Sequence, residues 1–408
     1  MPPLLALLLR NPDFRRLFVA ELVVFGSDWF VMVPLLVLLP ELTGSGTWGA
    51  YVLAADTGIT ALVLPYAGTV ADRLDRKKVM VTANLACLAV LLLLLLVRSA
   101  GTAWLAIAVV GGMAVAKGFY SPAASASLPN VVTPEQLGHA TTLAGAAWGT
   151  MAVLGASLGG ILSAVLSPYA CFWIAAAALA GAAVLAGRIS RPLQAPRDAD
   201  VPVSRAFAAI GEALSYIAGR PTVLALVTVK SAVGLGNGVL TVFPLLAAVY
   251  GVGPIGAGLL FAVRGLGALV GPFALRPLLT RRALLLPGLA LSMSTYGLAY
   301  LGVSVLTWFP LVLLLVFLAH FGAGSNWTMS NYALQTEVPD RLRGRVFATD
   351  LMLATLAISV SQLGVAAVVD SLDERVILAG CGAVTLLYAV GWWLTTRRLS
   401  LTSAPAVS

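Results

Sequence analysis

Apolar residues run along this chain in blocks of about twenty, the length a helix needs to cross a bilayer's hydrocarbon. Polar residues gather in the short segments between them. "AVLLLLLLV" (Ala89 to Val97) and "LALSMSTYGLAYLGVSVL" (Leu289 to Leu306) are two such blocks. The pattern predicts twelve membrane-spanning helices. The first six lie near 17–39, 48–70, 79–97, 103–122, 140–164 and 169–187. The second six lie near 222–249, 255–278, 283–303, 308–332, 346–369 and 375–395. Between the sets runs the only extended polar stretch, "RISRPLQAPRDADVPVSRAF" (Arg188 to Phe207), which reads as a linker. "AIGEALSYIAGRP" after it predicts a short interfacial helix. The expected organisation is a six-helix half over 1–187, a linker over 188–220, a second half over 221–397 and a tail over 398–408.

Composition agrees with a polytopic membrane protein. Of 408 residues, 60% are hydrophobic and 10% charged, against about a quarter charged in soluble domains. Arg98 and Arg375 fall at one membrane face, and Lys117, Lys230 and Arg264 fall within spans. The other 20 of the 25 lysines and arginines collect on the face of the termini and the linker. The positive-inside rule therefore places both termini in the cytoplasm. The net charge of +8 is a topology signal and gives little support to nucleic-acid binding. "MPPLLALLLR" has no basic residue ahead of its apolar run, so the first span is expected to serve as the insertion signal. Cys87, Cys171 and Cys381 lie in separate apolar blocks without metal or disulfide spacing, and His139 and His320 are too scattered for a metal site.

The two halves repeat. Pro12 and Pro221, each entering the first span of its half, lie 209 positions apart. Pro134 and Pro339, before the fifth and eleventh spans, are 205 apart, and Gly68 and Gly271 are 203 apart. Agreement of three anchors indicates a six-plus-six duplication of the kind that puts a substrate site between transporter halves.

The loop after the second span, "GTVADRLDRKK" (Gly68 to Lys78), resembles the signature loop of the major facilitator superfamily, G-x-x-x-D-R-x-G-R-[RK]-x. Gly68, Asp72, Arg73, Arg76 and Lys77 match, and Asp75 replaces the usual glycine. The resemblance implies an all-α facilitator fold of two pseudo-symmetric halves, with this loop steadying one conformation against the opposite half. Asp72 would then lie near Arg343 and Arg345. The fifth span, "GTMAVLGASLGG" (Gly149 to Gly160), is similar to the antiporter pattern of that superfamily, with Gly155, Gly159 and Gly160 matching and Ala156 in place of its proline. Small residues at this spacing also serve ordinary close helix packing. "NPDFRRLFVAELVVFGSDW", "YSPAASASLPNVVTPEQLGHA" and "SNYALQTEVPDRLRGRVFA" resemble the exporter branch that includes macrolide-efflux and enterobactin-exporter-like proteins.

Charges inside the spans are the candidate chemistry. A carboxylate at the bilayer centre costs about 2.5–3.5 kcal/mol on insertion scales, so it is expected to face a partner or a wet cavity. Asp28 lies near the middle of the first span, with Glu21 two turns earlier. Asp56, Lys117, Lys230, Arg264 and Asp350 are the other embedded charges, Asp350 being read as structural, close to the inner surface and pairing with the basic loops. In the facilitator fold the first, fourth, seventh and tenth spans line the cavity, which implies that Asp28, Lys117, Lys230 and His320 share it. The repeat carries Glu21 onto Lys230, Asp28 onto Asn237 and Lys117 onto His320, an asymmetric cavity. Asp28, with Lys117 and Glu21, is the expected proton-coupling group, and a fixed Asp28–Lys117 clasp is the alternative. Trp29, Phe30, Phe119, Tyr120, Lys230, Asn237, Arg264, His320, Asn326 and Trp327 are the expected substrate contacts.

The implied function is proton-driven efflux of amphipathic drug-like or natural-product molecules, by a monomer in a bacterial inner membrane and without cofactor. A siderophore exporter or lipid flippase of the same fold is the alternative, and an importer the third reading. No Walker-type GxxxxGK[ST] or DDxxD cluster occurs, which argues against ATP hydrolysis and an intramembrane transferase.

Overall fold

The computed structural model describes residues 3–194, 206–275 and 281–399. Over these residues the chain is helical. A short α1 (Pro3–Arg10) precedes α2 (Pro12–Thr43), α3 (Thr47–Arg73), α4 (Arg76–Leu91), α5 (Trp104–Val131), α6 (Pro134–Val165) and α7 (Pro168–Gly187). Helix α8 (Ala206–Ala218) follows the linker, where the interfacial helix is expected. Then come α9 (Pro221–Gly236), α10 (Val239–Val249), α11 (Gly253–Ala274), α12 (Leu285–Val305), α13 (Phe309–Glu337), α14 (Asp340–Ala366) and α15 (Glu374–Thr396). Eleven spans among the described residues are long and apolar enough to cross a membrane, and α6 adds the apolar stretch Thr150–Val165.

Capping chemistry sets the helix starts. Asn11 Oδ1 accepts from Phe14 N at 3.0 Å ahead of Pro12. Asp75 accepts from Lys78 N at 3.1 Å, and Ser167 from Ala170 N at 3.1 Å. Such side chains satisfy amide groups that a helix leaves unpaired. Thr133 and Gln136 form a capping box, so the fifth span begins at Pro134 and not near residue 140, where its apolar block starts. Gly44, at φ +68°, ends α2 in the left-handed region.

The seventh span is two helices, α9 and α10, where the apolar pattern predicts one. Its break at Asn237 and Gly238 is supported by neighbours. Ser361 of α14 accepts from Gly238 N at 2.9 Å and donates to Leu235 O at 2.5 Å. Tyr296 donates to Gly236 O at 3.5 Å. A side chain at Gly238 has no room, since its Cβ would lie 2.9 Å from Ser361 O.

The packing repeats. In the first six spans α2 packs on α6 and α7, α3 on α5, and α4 on α5 and α7. In the last six α9 packs on α14 and α15, α11 on α13, and α12 on α13 and α15. These pairs exchange under a shift of six spans. The two groups meet along α3 with α14 and α6 with α11, and these contacts also exchange. Large apolar side chains such as Trp104, Trp173, Trp308, Leu291, Val305 and Leu387 stand exposed on the outside, as lipid contact requires.

Candidate functional site

Three charges from the first six spans meet inside the bundle. Lys117 of α5 forms an ion pair with Asp28 of α2, and its Nζ lies 3.9 Å from Asp56 of α3. Asp28 and Asp56 remain 32% and 31% exposed, and Lys117 15%, although each lies inside a span. One residue beyond Asp28, the Trp29 ring packs against Phe261 of α11 at 5.2 Å. Trp29 thus carries α2, beside the triad, into contact with the other helix group. Two carboxylates and one ammonium give it a formal charge of −1 when all are ionised. Asp56 was visible as a charge in the second span, but nothing in one sequence pairs it with Lys117.

Glu21 is buried in α2, near Tyr120 of α5. Tyr120 is itself sealed, with its hydroxyl unpartnered. Phe30 and Phe119 are partly buried against the apolar core.

A second cluster lies across the interior on the last six spans. The Arg264 guanidinium of α11 stacks over Trp29 at 4.5 Å. Tyr296 and Tyr300 of α12 and His320 of α13 are its neighbours. Tyr300 Oη and His320 Nε2 share a hydrogen bond of 2.9 Å, and the Tyr296 and Tyr300 rings lie 4.9 Å apart. The tyrosines, spaced i, i+4 on one helix face, have no charge or motif to announce them in the sequence.

The structure corrects the reading of Lys230. It shares no cavity with Asp28 and Lys117, but is sealed in an ion pair with Asp350 of α14. Asn331 of α13 accepts from Lys230 Nζ at 2.7 Å, and the Trp327 ring lies 5.0 Å from it. Asp350 accordingly sits deep between helices and away from the surface loops, because an embedded lysine needs a carboxylate more than a loop arginine does. His320 is likewise buried on Tyr300. Asn326 is 1% exposed and donates to Ser292 Oγ at 3.0 Å, joining α12 to α13, and Asn237 is buried at the α9–α10 break.

Among the residues of the signature loop, the side chains of Gly68, Asp72 and Arg73 lie outside the described residues, so the expected approach of Asp72 to Arg343 and Arg345 does too. Arg345 pairs with Glu212 of α8. Arg76 donates to Ala126 O at 2.7 Å and Leu193 O at 3.0 Å, and Lys77 to Ile189 O at 2.7 Å. Both tie the chain after α7 to their own helix group. The α6 glycines sit where backbones touch. A Cβ on Gly155 would lie 2.5 Å from Gly26 O, one on Gly159 2.7 Å from Phe30 O, and one on Gly160 2.8 Å from Gly258 Cα.

At the end of the bundle away from the termini, α3 and α14 are latched. Asp370 accepts from Ser45, from Gly46 N at 2.8 Å and from Thr47 Oγ1 at 2.8 Å. Partial burial works to raise the Asp370 pKa, but the hydroxyl and amide donors outweigh it and hold the carboxyl below its usual range. Further in, Thr57 donates to Gln362 Oε1 at 2.8 Å and Ser359 to Ala54 O at 3.0 Å.

The model of the Major Facilitator Superfamily matches residues 17–362. The enterobactin exporter EntS of Citrobacter koseri is 27% identical over 352 residues, covering 84% of this chain and 82% of that protein. A bacterial homologue of the human lysosomal transporter Spinster, solved inward-facing and unoccupied, superposes with a TM-score of 0.73 at 14% identity, over 95% of this chain and 98% of that one. A POT family transporter in complex with 5-aminolevulinic acid gives 0.75 at 10% identity, over 94% and 96%. Identities this low show the fold alone. The family match spans most of the chain and agrees with the helical packing: the protein belongs to the major facilitator superfamily and is a multi-pass membrane transporter, not an enzyme.

Proposed function

We propose that this transporter exports amphipathic small molecules in exchange for protons, with Asp28, Asp56 and Lys117 as the coupling site. The observation that carries the reading is the partly exposed triad inside the bundle. Two carboxylates compete for one ammonium, so the surplus carboxylate is available for a proton, and each protonation changes how tightly α2, α3 and α5 are held together. A ligand that draws Lys117 or Asp28 away competes with that proton, which is the requirement of antiport. The export direction takes support from the 27% identical enterobactin exporter, which also favours siderophore export as the second reading.

Arginine and lysine bias supports cytoplasmic termini, and the reading takes one chain in a bacterial inner membrane as the transporting unit. The Asp370 latch then closes the outward end, and the interior charges open toward the cytoplasm. Exchange of this latch for contacts at the signature loop is the alternating-access step.

Everted membrane vesicles loaded with acridine orange test the coupling. A panel of amphipathic drugs and siderophores is expected to release protons in vesicles holding the wild type. Asp28→Asn and Asp56→Asn each reduce the release at least ten-fold. Unchanged, pH-dependent transport by Asp28→Asn removes that residue from coupling and leaves the clasp as its role.

A further inference from the structure

The buried cations of this chain are not treated alike. Lys117 has Asp28 and Asp56, and Lys230 has Asp350. Arg264 forms no ion pair among the described residues. Its Nε is buried without a hydrogen-bond partner, and one face of its guanidinium is occupied by the Trp29 ring at 4.5 Å. Around it stand Tyr296, Tyr300 and His320, of which the last two already satisfy one another through their 2.9 Å hydrogen bond. An arginine cannot shed its proton as a buried lysine can. Stacking on an aromatic face compensates only part of the charge. The arrangement therefore lacks an anion.

Accessibility says from which side an anion arrives. Tyr296, Tyr300 and His320 are sealed, forming a floor, whereas Arg264 keeps partial exposure, as Trp29 does. Trp29 of α2 and Arg264 of α11, one from each helix group, are thus the accessible pair. A planar carboxylate matches the guanidinium fork with two parallel hydrogen bonds. Trp29, partly exposed and backed by the sealed Phe261 at 5.2 Å, offers an aromatic surface beside it. We propose that Arg264 is the anion subsite of the transport cavity and binds the carboxylate of an amphipathic organic acid whose apolar body packs on the exposed part of Trp29. This names the substrate class of the proposed transporter and rests on reading its interior as the substrate site. Because Trp29 and Arg264 belong to different helix groups, an anion that draws the guanidinium off the ring also loosens one contact between them.

Purified protein in phosphatidylcholine nanodiscs tests the subsite with two fluorescent probes of equal shape, dansylglycine and dansylglycinamide, which differ by one negative charge. Wild type is expected to bind the acid at least ten-fold tighter than the amide. Arg264→Gln reduces that preference to under two-fold while its affinity for the amide changes by less than two-fold, which also reports a folded protein. Arg264→Lys, which keeps the charge and removes the fork, gives an intermediate preference and carries the test should the glutamine variant not fold. An absent preference in wild type, including failure to bind either probe, overturns the proposal, and so does a preference unchanged in either variant. No proton gradient enters the measurement, so a failure of coupling at Asp28 leaves this result standing, and the reverse holds.

Discussion

Replacing Lys230 by methionine separates a sealed ion pair from an accessible one. Lys230 and Asp350 are 1% and 3% exposed, so the orphaned carboxylate could not recover water. Its Oδ1 already lacks a partner, and the substitution also strips Oδ2. Removing one member of a buried pair costs about 3–5 kcal/mol. Loss of the Trp327 contact at 5.0 Å adds on the order of 1 kcal/mol. At roughly 1–2 °C per kcal/mol for a chain of this size, extending the trend of smaller domains, the apparent Tm in detergent should fall by about 4–12 °C. Intrinsic-fluorescence melting reads this directly. The double variant Lys230→Met, Asp350→Leu should regain most of the loss, since an apolar pair often matches a buried ionic one. Lys117→Met serves as comparator: Asp28 and Asp56, each about a third exposed, keep solvent, and the cost stays within about 1 kcal/mol. Equal destabilisation by Lys230→Met and Lys117→Met, or no rescue in the double variant, refutes the reasoning.

Other expectations follow from the packing and the latch. Gly159→Val places its Cβ 2.7 Å from Phe30 O and should lower stability by about 1–3 kcal/mol. Gly181→Val, with nothing within 4 Å, should melt like wild type, and a similar loss in both variants would show that the α6 contact is unimportant. Asp370→Asn should weaken the α3–α14 latch by about 1 kcal/mol, a roughly five-fold shift in population. Spin labels at the exposed positions Glu41 and Leu372 would report it as a longer-distance fraction in pulsed dipolar spectra. Since the folded carboxyl is held below its usual range, the latch is strong at neutral pH and is lost only as pH falls through that depressed value. A distance distribution that opens already near neutral pH would count against Asp370.

The fold was legible because the bilayer imposes long apolar blocks, and Pro12, Pro134 and Pro168 mark helix starts that capping chemistry then fixes. The break in the seventh span was hidden, since Asn237 and Gly238 sit inside an apolar run and the bonds that sustain the break come from Ser361 and Tyr296, far along the chain. Embedded charges announced themselves one by one, but their partners did not. Asp28 with Lys117 was anticipated from the fold that the loop motif implied. Lys230 with Asp350 was not, because the residues are 120 positions apart and only three-dimensional register selects that pairing. Tyr296 and Tyr300 gave no signal, being ordinary aromatic residues of a membrane helix until Arg264 is placed beside them.

The exchange of contacts under a shift of six spans has a consequence for chemistry. The α3–α14 and α6–α11 contacts stand to each other as the two copies of a twofold, isologous interface do in a homodimer. A homodimer must present every charge twice, so an acidic triad on one subunit would face an identical triad on the other. A single chain is released from that rule. Here Asp28, Asp56 and Lys117 lie in one group and Arg264, with no ion pair among the described residues, in the other, and the repeat equivalent of Asp28 is the uncharged Asn237. Covalent continuity thus lets the two sides carry different charges.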